Sequence, residues 1–236
     1  MKKIVIIPAR LHSERLPLKP LKLIGEKPMI QWTYDAALLS NADEVKIATD
    51  SIEIQSLFDE GVALMTSSVH KSGTERVHEV AKKISKSKDD VIVNLQGDEP
   101  FINKLDLNNL FSALVGAEDE MATLYREIIS KDELSDENIV KVKLKSGYAV
   151  EFSRNFKEDN DCYVHIGVYA FSGNSLESYN NLEPTDSEKI QKLEQLRAIE
   201  NNIPIRGIKS LAEIHIGVDT EEDLIKANEA IKKNKK

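Results

Sequence analysis

The chain has 236 residues, 41% of them hydrophobic and 31% charged, a globular balance rather than a disordered one. At this length folding hides roughly 70% of the unfolded chain's surface, so no disulfide or metal is needed for stability; the single cysteine, Cys162, excludes an intrachain disulfide, and no uncharged apolar run approaches the ~18 residues that cross a bilayer. The net charge of −8 argues against a general nucleic-acid or anionic-membrane binder, yet Lys2, Lys3, Arg10, Arg15, Lys19, Lys22 and Lys27 face only Glu14 and Glu26 within residues 1–27, a basic island that suits a small polyanionic ligand held at one place.

The apolar run at 4–7 ends at Pro8 and Arg10, far short of a signal-peptide core, so it reads as a buried strand of a cytoplasmic protein. Short β-branched runs then alternate with segments of helical period, the pattern of parallel βαβ units and of an α/β fold with a mostly parallel central sheet. Strands are predicted at 3–8, 44–49, 62–66 and 91–96. Pro28 starts a helix through Leu39, with proline at an early helical position, and 52–60 is a short second helix. A third begins at Ser72, where Ser72 and Glu75 have capping-box spacing and Val77, Val80, Ala81 and Ile84 form an apolar stripe.

After a helix near 105–115, strand-like runs at 120–125, 139–144, 148–152 and 163–171, with Ser146-Gly147 as a turn, describe an antiparallel excursion. Thr185 and Glu188 make a second capping box, opening a helix with Ile190, Leu193 and Leu196 on one face. A last helix runs from Thr220 toward the Lys-rich tail. No repeat, low-complexity linker or clean boundary interrupts the chain. Residues 1–236 therefore read as a single domain, in which residues about 120–172 form a β-rich excursion sharing its core.

Several sequence endings carry chemistry. The first strand runs into Pro8-Ala9-Arg10, and the loop after it holds Arg15, Lys19 and Pro20. In open α/β sheets ligands bind beyond the carboxyl ends of the strands, and these cations suit a triphosphate, which takes both bidentate guanidinium contacts and a point-charge ammonium. With no glycine-rich phosphate motif present, a solvated basic loop fits the same residues. The fourth strand delivers Gln96-Gly97-Asp98-Glu99-Pro100, and Ile216-Gly217-Val218-Asp219-Thr220 ends similarly. Asp98 and Asp219 are a carboxylate pair suited to Mg²⁺ shared with phosphate oxygens, or else Asp98 caps a turn and Asp219 caps a helix. Ser72-Gly73-Thr74-Glu75-Arg76 places hydroxyls and a glycine at a helix N-terminus, fit for an anion or a base edge, or serving as an N-cap alone. His165, Gly167 and Tyr169 share one face of a strand. Arg154, Glu194, Gln195 and Arg197 are open to either a pocket or solvent. Cys162 has no basic neighbour in sequence and reads as structural, and the five histidines lack zinc-ligand spacing.

Taken together in order over nearly the whole chain, these pieces resemble the 3-deoxy-manno-octulosonate cytidylyltransferase family, the CMP-Kdo synthetases of lipopolysaccharide assembly. The resemblance is carried by Pro8-Ala9-Arg10, Arg15-Leu16-Pro17, Lys19-Pro20-Leu21, Lys27-Pro28-Met29, Ala48-Thr49-Asp50, Ser72-Gly73-Thr74-Glu75-Arg76 and Gln96-Gly97-Asp98-Glu99-Pro100. It continues through Met121-Ala122-Thr123, Phe152-Ser153-Arg154, His165-Ile166-Gly167, Leu193-Glu194-Gln195-Leu196-Arg197 and Gly217-Val218-Asp219-Thr220.

The resemblance implies a nucleotidyltransferase fold of the GT-A, Rossmann-like kind, a homodimer built through the excursion, CTP as substrate and Mg²⁺ as cofactor. It implies that Arg10, Arg15 and Lys19 hold the triphosphate, that the backbone of Pro8, Ala9 and Arg10 with Arg76 reads cytosine, and that Asp98 and Asp219 hold the metal; Lys19, Asp98 and Asp219 are then the catalytic set. Gln96, Arg154, His165, Tyr169, Glu194 and Gln195 are expected to line the sugar-acid pocket, with Arg154 meeting the carboxylate. Two departures stand out. Only ten residues, 155–164, separate Arg154 from His165 where the family carries a longer segment, and Leu18 takes the place of a usual glycine. The short segment motivates an alternative substrate, the 8-amino analogue of Kdo. From another class, a nucleotide-binding regulatory subunit would keep the fold without the chemistry.

Overall fold

The computed structural model describes residues 1–13, 15–117, 120–156, 161–212 and 216–234. In chain order the elements are β1 (Lys3–Ala9), a 3-10 turn (Lys19–Leu21), β2 (Leu23–Ile24), β3 (Lys27–Pro28), α1 (Met29–Leu38), β4 (Glu44–Thr49), α2 (Ile52–Gln55), β5 (Ala63–Met65), α3 (Gly73–Ile84) and β6 (Val91–Asn94). There follow α4 (Lys104–Ala113), β7 (Met121–Arg126), α5 (Lys131–Ser135), β8 (Lys141–Lys145), β9 (Tyr148–Ser153), β10 (Cys162–Ser172), α6 (Gly173–Asn180), α7 (Asp186–Gln191), α8 (Gln195–Glu200), β11 (Ile205–Lys209) and α9 (Glu221–Asn234). Among the described residues no helix is long and apolar enough to cross a membrane.

The chain forms two compact units. One comprises Lys2–Lys86, Asn94–Asn108 and Leu211–Lys236; the other comprises Met1, Ser87–Val93 and Asn109–Ser210. In the first, β4 pairs parallel with β1 and with β5, Ile4 lying opposite Glu44 and Ala9 opposite Thr49. Ile4, Val5, Ile6 and Ile7 are wholly buried, as an uninterrupted apolar strand of a parallel sheet must be. Helices α1 and α3 both pack against β1.

The predicted starts of these helices need small corrections. Pro28 ends β3 and caps α1 from just outside rather than sitting within it. Ser72 caps α3 by accepting from the Glu75 N–H at 3.2 Å, while the Glu75 carboxylate accepts from the Lys71 N–H at 2.9 Å instead of closing the box on Ser72. The helix expected at 52–60 is a single turn, because the chain after Gln55 passes into successive turns that end at Gly61, where φ is +79°.

In the second unit, β7, β8, β9, β10 and β11 follow the order β10-β7-β11-β9-β8, and β8 pairs again with β10, so the ring of strands closes on itself. β7 and β11 run parallel, and the other pairs are antiparallel. Ser146 and Gly147, at φ 52° and 83°, form the two-residue turn between β8 and β9; both central residues in the left-handed region match the twist of a tight hairpin. Along β10 the even-numbered residues from Cys162 to Ala170 are buried, while Tyr163, His165, Gly167 and Tyr169 are half-buried on the other face.

The capping box at Thr185 and Glu188 is present, but the helix it opens is not continuous. Lys192 adopts a left-handed conformation with φ 54°, ending α7, and α8 begins separately at Gln195. The break turns Ile190 outward, 82% exposed, while Leu193 and Leu196 stay buried.

Candidate active site

The first unit brings Lys19, Asp98 and Asp219 together. Leu18 takes a left-handed conformation, φ 56°, and starts the 3-10 turn in which Lys19 is the first residue and the buried Pro20 the second. The chain then makes the hairpin β2–β3, pinned from outside by Asn228 of α9, whose side-chain oxygen accepts from the Gly25 N–H at 2.8 Å. Leu16, Ile24 and Met29 share one core with Val218, Leu224 and Ala227. That shared core carries the C-terminal segment to the loop that holds Lys19, across 200 positions of sequence.

The Lys19 ammonium donates to Asp98 Oδ2 and, at 2.9 Å, to Asp219 Oδ1. Arg15 reaches the same Asp219 oxygen at 3.2 Å. Burial works against the charged Lys19, but the two carboxylates outweigh it and raise its pKa above the ordinary lysine value. Burial likewise pushes the Asp219 carboxyl upward, and the charges of Lys19 and Arg15 reverse the shift to below the ordinary range. Arg10, at the end of β1, is exposed and has no ion-pair partner among the described residues.

At the start of α9 the cap is made by Thr220 and Asp223: the Asp223 carboxylate accepts from the N–H groups of Asp219 and Thr220 at 3.2 and 3.0 Å, and the Thr220 hydroxyl accepts from the Asp223 N–H at 3.2 Å. The Asp219 side chain is therefore not the cap, and its carboxylate is left to face Lys19. Asp98 is placed by its backbone, whose carbonyl accepts from the Val218 N–H at 2.9 Å. Gly97 lies so close to β1 that a Cβ there would stand 3.3 Å from the Pro8 carbonyl oxygen and 3.2 Å from Ile30 Cδ1. The buried Thr33 hydroxyl donates to the Gly97 carbonyl at 3.0 Å.

Pro8 and Ala9 are buried at the end of β1. A Cβ on Gly73, the first residue of α3, would meet Pro8 Cγ at 3.2 Å and Gln96 Oε1 at 3.3 Å. Gln96 thus sits with Pro8 and α3 in this unit, tied through Asn94 to Thr74 by hydrogen bonds of 2.8 and 3.2 Å. Arg76, 3% exposed, donates to Thr66 Oγ1 and to Asp50 Oδ2 at 2.9 Å. Its guanidinium joins the first turns of α3 to the residues that follow β4 and β5.

The second unit holds the other expected sugar-site residues. His165 lies edge-on to Phe152, centroids 5.0 Å apart, and 5.5 Å from the Tyr169 ring. Burial raises the Tyr169 hydroxyl well above the usual phenol range, and the nearby Glu194 carboxylate and Tyr179 add to the shift. The Glu194 carbonyl accepts from the Tyr179 hydroxyl at 2.9 Å, and Gln195 is buried beside it at the start of α8. Arg197 forms a buried pair with Glu188, Nε to Oε2 at 2.8 Å, with its guanidinium over the Tyr179 ring. Arg154, two residues beyond Phe152, donates to the carbonyls of Glu137 and Asn138 at 3.2 and 3.0 Å. The segment between Arg154 and His165 lies partly outside the described residues.

Four groups at these sites carry no role in the sequence reading. Asp50 and Thr66 hold Arg76, Asp223 caps α9 beneath Asp219, and Thr123 contacts His165. Only Asp223 had a local signal, its capping spacing from Thr220; the others depend on strand pairing.

Residues 4–211 match the family model described as Cytidylyltransferase. The chain is 42% identical to the 3-deoxy-manno-octulosonate cytidylyltransferase of Vibrio cholerae serotype O1 (strain M66-2), an alignment covering 93% of this chain and 94% of that protein. It is 39% identical to the enzyme of the same name from Fusobacterium nucleatum subsp. nucleatum, over 99% and 98% of the two chains. Among solved structures, CMP:2-keto-3-deoxy-manno-octonic acid synthetase complexed with CTP superposes with a TM-score of 0.88 at 35% identity, over 99% of this chain and 100% of that one. A putative glucose-1-phosphate thymidylyltransferase from Bacillus anthracis has the same fold, with a TM-score of 0.70 at 14% identity over 97% and 94%. The fold is the α/β nucleotidyltransferase fold, and the chain belongs to the cytidylyltransferase family, among the 3-deoxy-manno-octulosonate cytidylyltransferases.

Proposed function

We propose that this chain transfers the cytidylyl group of CTP to 3-deoxy-manno-octulosonate, releasing pyrophosphate. The observation that carries the reading is the cluster of Lys19, Asp98 and Asp219, flanked by Arg15, in a chain of this family. The anomeric hydroxyl of the sugar acid attacks the α-phosphorus in line. A new P–O bond forms, the bond to the bridging oxygen of pyrophosphate breaks, and the hydroxyl proton passes to water. Such chemistry rests on positioning and charge stabilisation.

Arg10, Arg15 and Lys19 bind the triphosphate and neutralise charge on the departing pyrophosphate. Pro8, Ala9 and Arg10 supply backbone to the base, with Arg76 holding the frame around it. Asp98 and Asp219 offer an all-oxygen donor pair already gathered around one cation, which fits Mg²⁺, a metal that takes one or two carboxylates and completes its shell with phosphate oxygens and water. When bound, Mg²⁺ supplies charge compensation on the phosphates. Membership of the family assigns sugar-acid binding to His165, Tyr169, Glu194, Gln195 and Arg154 of the second unit and to Gln96 of the first. From the family we infer a cytoplasmic homodimer as well, which equilibrium sedimentation checks for the dimer.

The test is pyrophosphate release by purified protein with Mg²⁺, each of the four nucleoside triphosphates, and either Kdo or its 8-amino analogue. Release with CTP and Kdo supports the reading. Turnover only with the 8-amino sugar would move the substrate while leaving the nucleotide half in place, and release with neither would remove the reaction.

A further inference from the structure

Thr123 is wholly buried in β7, among Met121, Ala122 and Leu124. It sits at an irregularity: Leu124 pairs with Ile166, but the next residue, Thr123, pairs with Tyr169, so Gly167 and Val168 bulge out of the β7–β10 ladder. A bulge of this kind leaves main-chain groups without ladder partners. The Thr123 hydroxyl oxygen fills the gap, 2.9 Å from the Val168 carbonyl oxygen and 3.3 Å from that of Ile166. The same oxygen lies 2.9 Å from Nε2 of His165.

One hydroxyl has a single proton and two acceptor lone pairs. The carbonyls can only accept, and two oxygens at 2.9 Å with no proton between them repel. The hydroxyl proton therefore goes to the Val168 carbonyl. Oγ1 then presents a lone pair to His165, and Nε2 must be the nitrogen that carries hydrogen.

We propose that Thr123 is a positioning residue that sets the tautomer of His165, keeping Nε2 protonated so that Nδ1 carries the lone pair in the neutral ring. Resting on the reading that His165 contacts the keto-sugar acid, this makes Nδ1 an acceptor for a hydroxyl of that substrate. The ring also contacts Phe152 edge-on and Tyr169 at a tilt, so the tautomer and the ring's orientation are set together, as outer partners do for a liganding histidine.

The experiment is ¹⁵N–¹H correlation on ring-¹⁵N-histidine protein about two pH units above the usual imidazole pKa of ~6.5, with His165 identified by loss of its signals in His165→Gln. The wild type and Thr123→Ser should show hydrogen on Nε2; Thr123→Val, which removes the acceptor and keeps the shape, should shift the ring toward the Nδ1–H form. The KM for the sugar acid should rise about tenfold in Thr123→Val, with the KM for CTP unchanged, and Thr123→Ser should restore both tautomer and KM. A wild-type ring with hydrogen on Nδ1 overturns the proposal, as does a folded Thr123→Val protein that keeps the wild-type pattern. If Thr123→Val does not fold, judged by its other histidine signals, the wild-type and Thr123→Ser spectra decide. Saturation with Kdo tests the underlying reading separately: a His165 signal that does not move removes His165 from the sugar site, while the ligand-free spectra still decide the tautomer.

Discussion

The Lys19 ammonium stands 2.9 Å from Asp219 Oδ1 while also donating to Asp98, so one cation holds two carboxylates that would otherwise repel. Replacing Lys19 with methionine removes the cation shared by both carboxylates and leaves Arg15, which reaches only Asp219, to offset their repulsion. Turnover should fall by about 10²–10³-fold, the scale of losing one preorganised charge contact, and the melting temperature of Lys19→Met should rise more on adding Mg²⁺ than that of the wild type. Equal shifts in the two proteins, measured by thermal unfolding, would show that Lys19 does not occupy the carboxylate pair.

Leu18 has the left-handed backbone that L-residues adopt at a cost of roughly 1–2 kcal/mol, and it is 53% exposed. Glycine removes that cost but adds freedom to the unfolded chain. Leu18→Gly should gain about 0.5 kcal/mol by urea unfolding, and Leu18→Ile, branched at Cβ, should lose about 1 kcal/mol. The reverse order would mean that the loop changes path when the side chain is removed.

At Gly97 an added methyl meets the Pro8 carbonyl oxygen at 3.3 Å and Ile30 Cδ1 at 3.2 Å. The Ile30 methyl can turn aside, but the Pro8 carbonyl cannot give without moving β1, so Gly97→Ala should cost about 1 kcal/mol of stability. Because Asp98 follows directly, the KM for CTP should also rise by about tenfold, the effect of weakening one charged contact. Calorimetry of CTP binding to the folded variant checks the second effect apart from the first.

Glu79 accepts from the Ser67 N–H at 2.9 Å, from Lys83 at 2.7 Å and faces His70 Nε2 at 2.7 Å. Burial raises its pKa, but the contacts with Lys83, Ser67 and His70 prevail and lower it to about 2. A depressed folded-state pKa contributes stability above the ordinary value of 4.5, and that stability is lost as pH falls toward 2. Glu79→Gln should therefore be less stable than the wild type at neutral pH by about 1 kcal/mol, after allowing for solvent screening, and the gap should close between pH 4.5 and about 2. A gap that stays constant across that window would assign the loss to packing.

Local signals in the sequence reach as far as one turn or one strand. The apolar run of β1, the Ser146-Gly147 turn and the Thr185–Glu188 capping box each depend on residues within a few positions, and each is present as expected. The break at Lys192 is different: the 3.6-residue spacing of Ile190, Leu193 and Leu196 suits one helix, yet the left-handed Lys192 divides it and exposes Ile190. The hairpin β2–β3 has two residues in each strand, too few to show a period, and β11 is defined by pairing with β7, far back along the chain.

The amino-acid sequence by itself determined the kinds of groups available: cations after the first strand, two aspartates at the ends of apolar runs, and a histidine and tyrosine on one strand face. Only the tertiary structure decided what each group meets. Asp219 reaches Lys19 because α9 and the segment around Lys19 bury their apolar side chains in one core, and Thr220 with Asp223 forms the helix cap in place of the Asp219 side chain. Arg76 is enclosed by Asp50 and Thr66, and the bulge between β7 and β10 sets Thr123 against His165. Propensity and capping act over three or four residues, whereas hydrogen bonds and charge contacts between distant segments form only once burial of the core has brought those segments within reach.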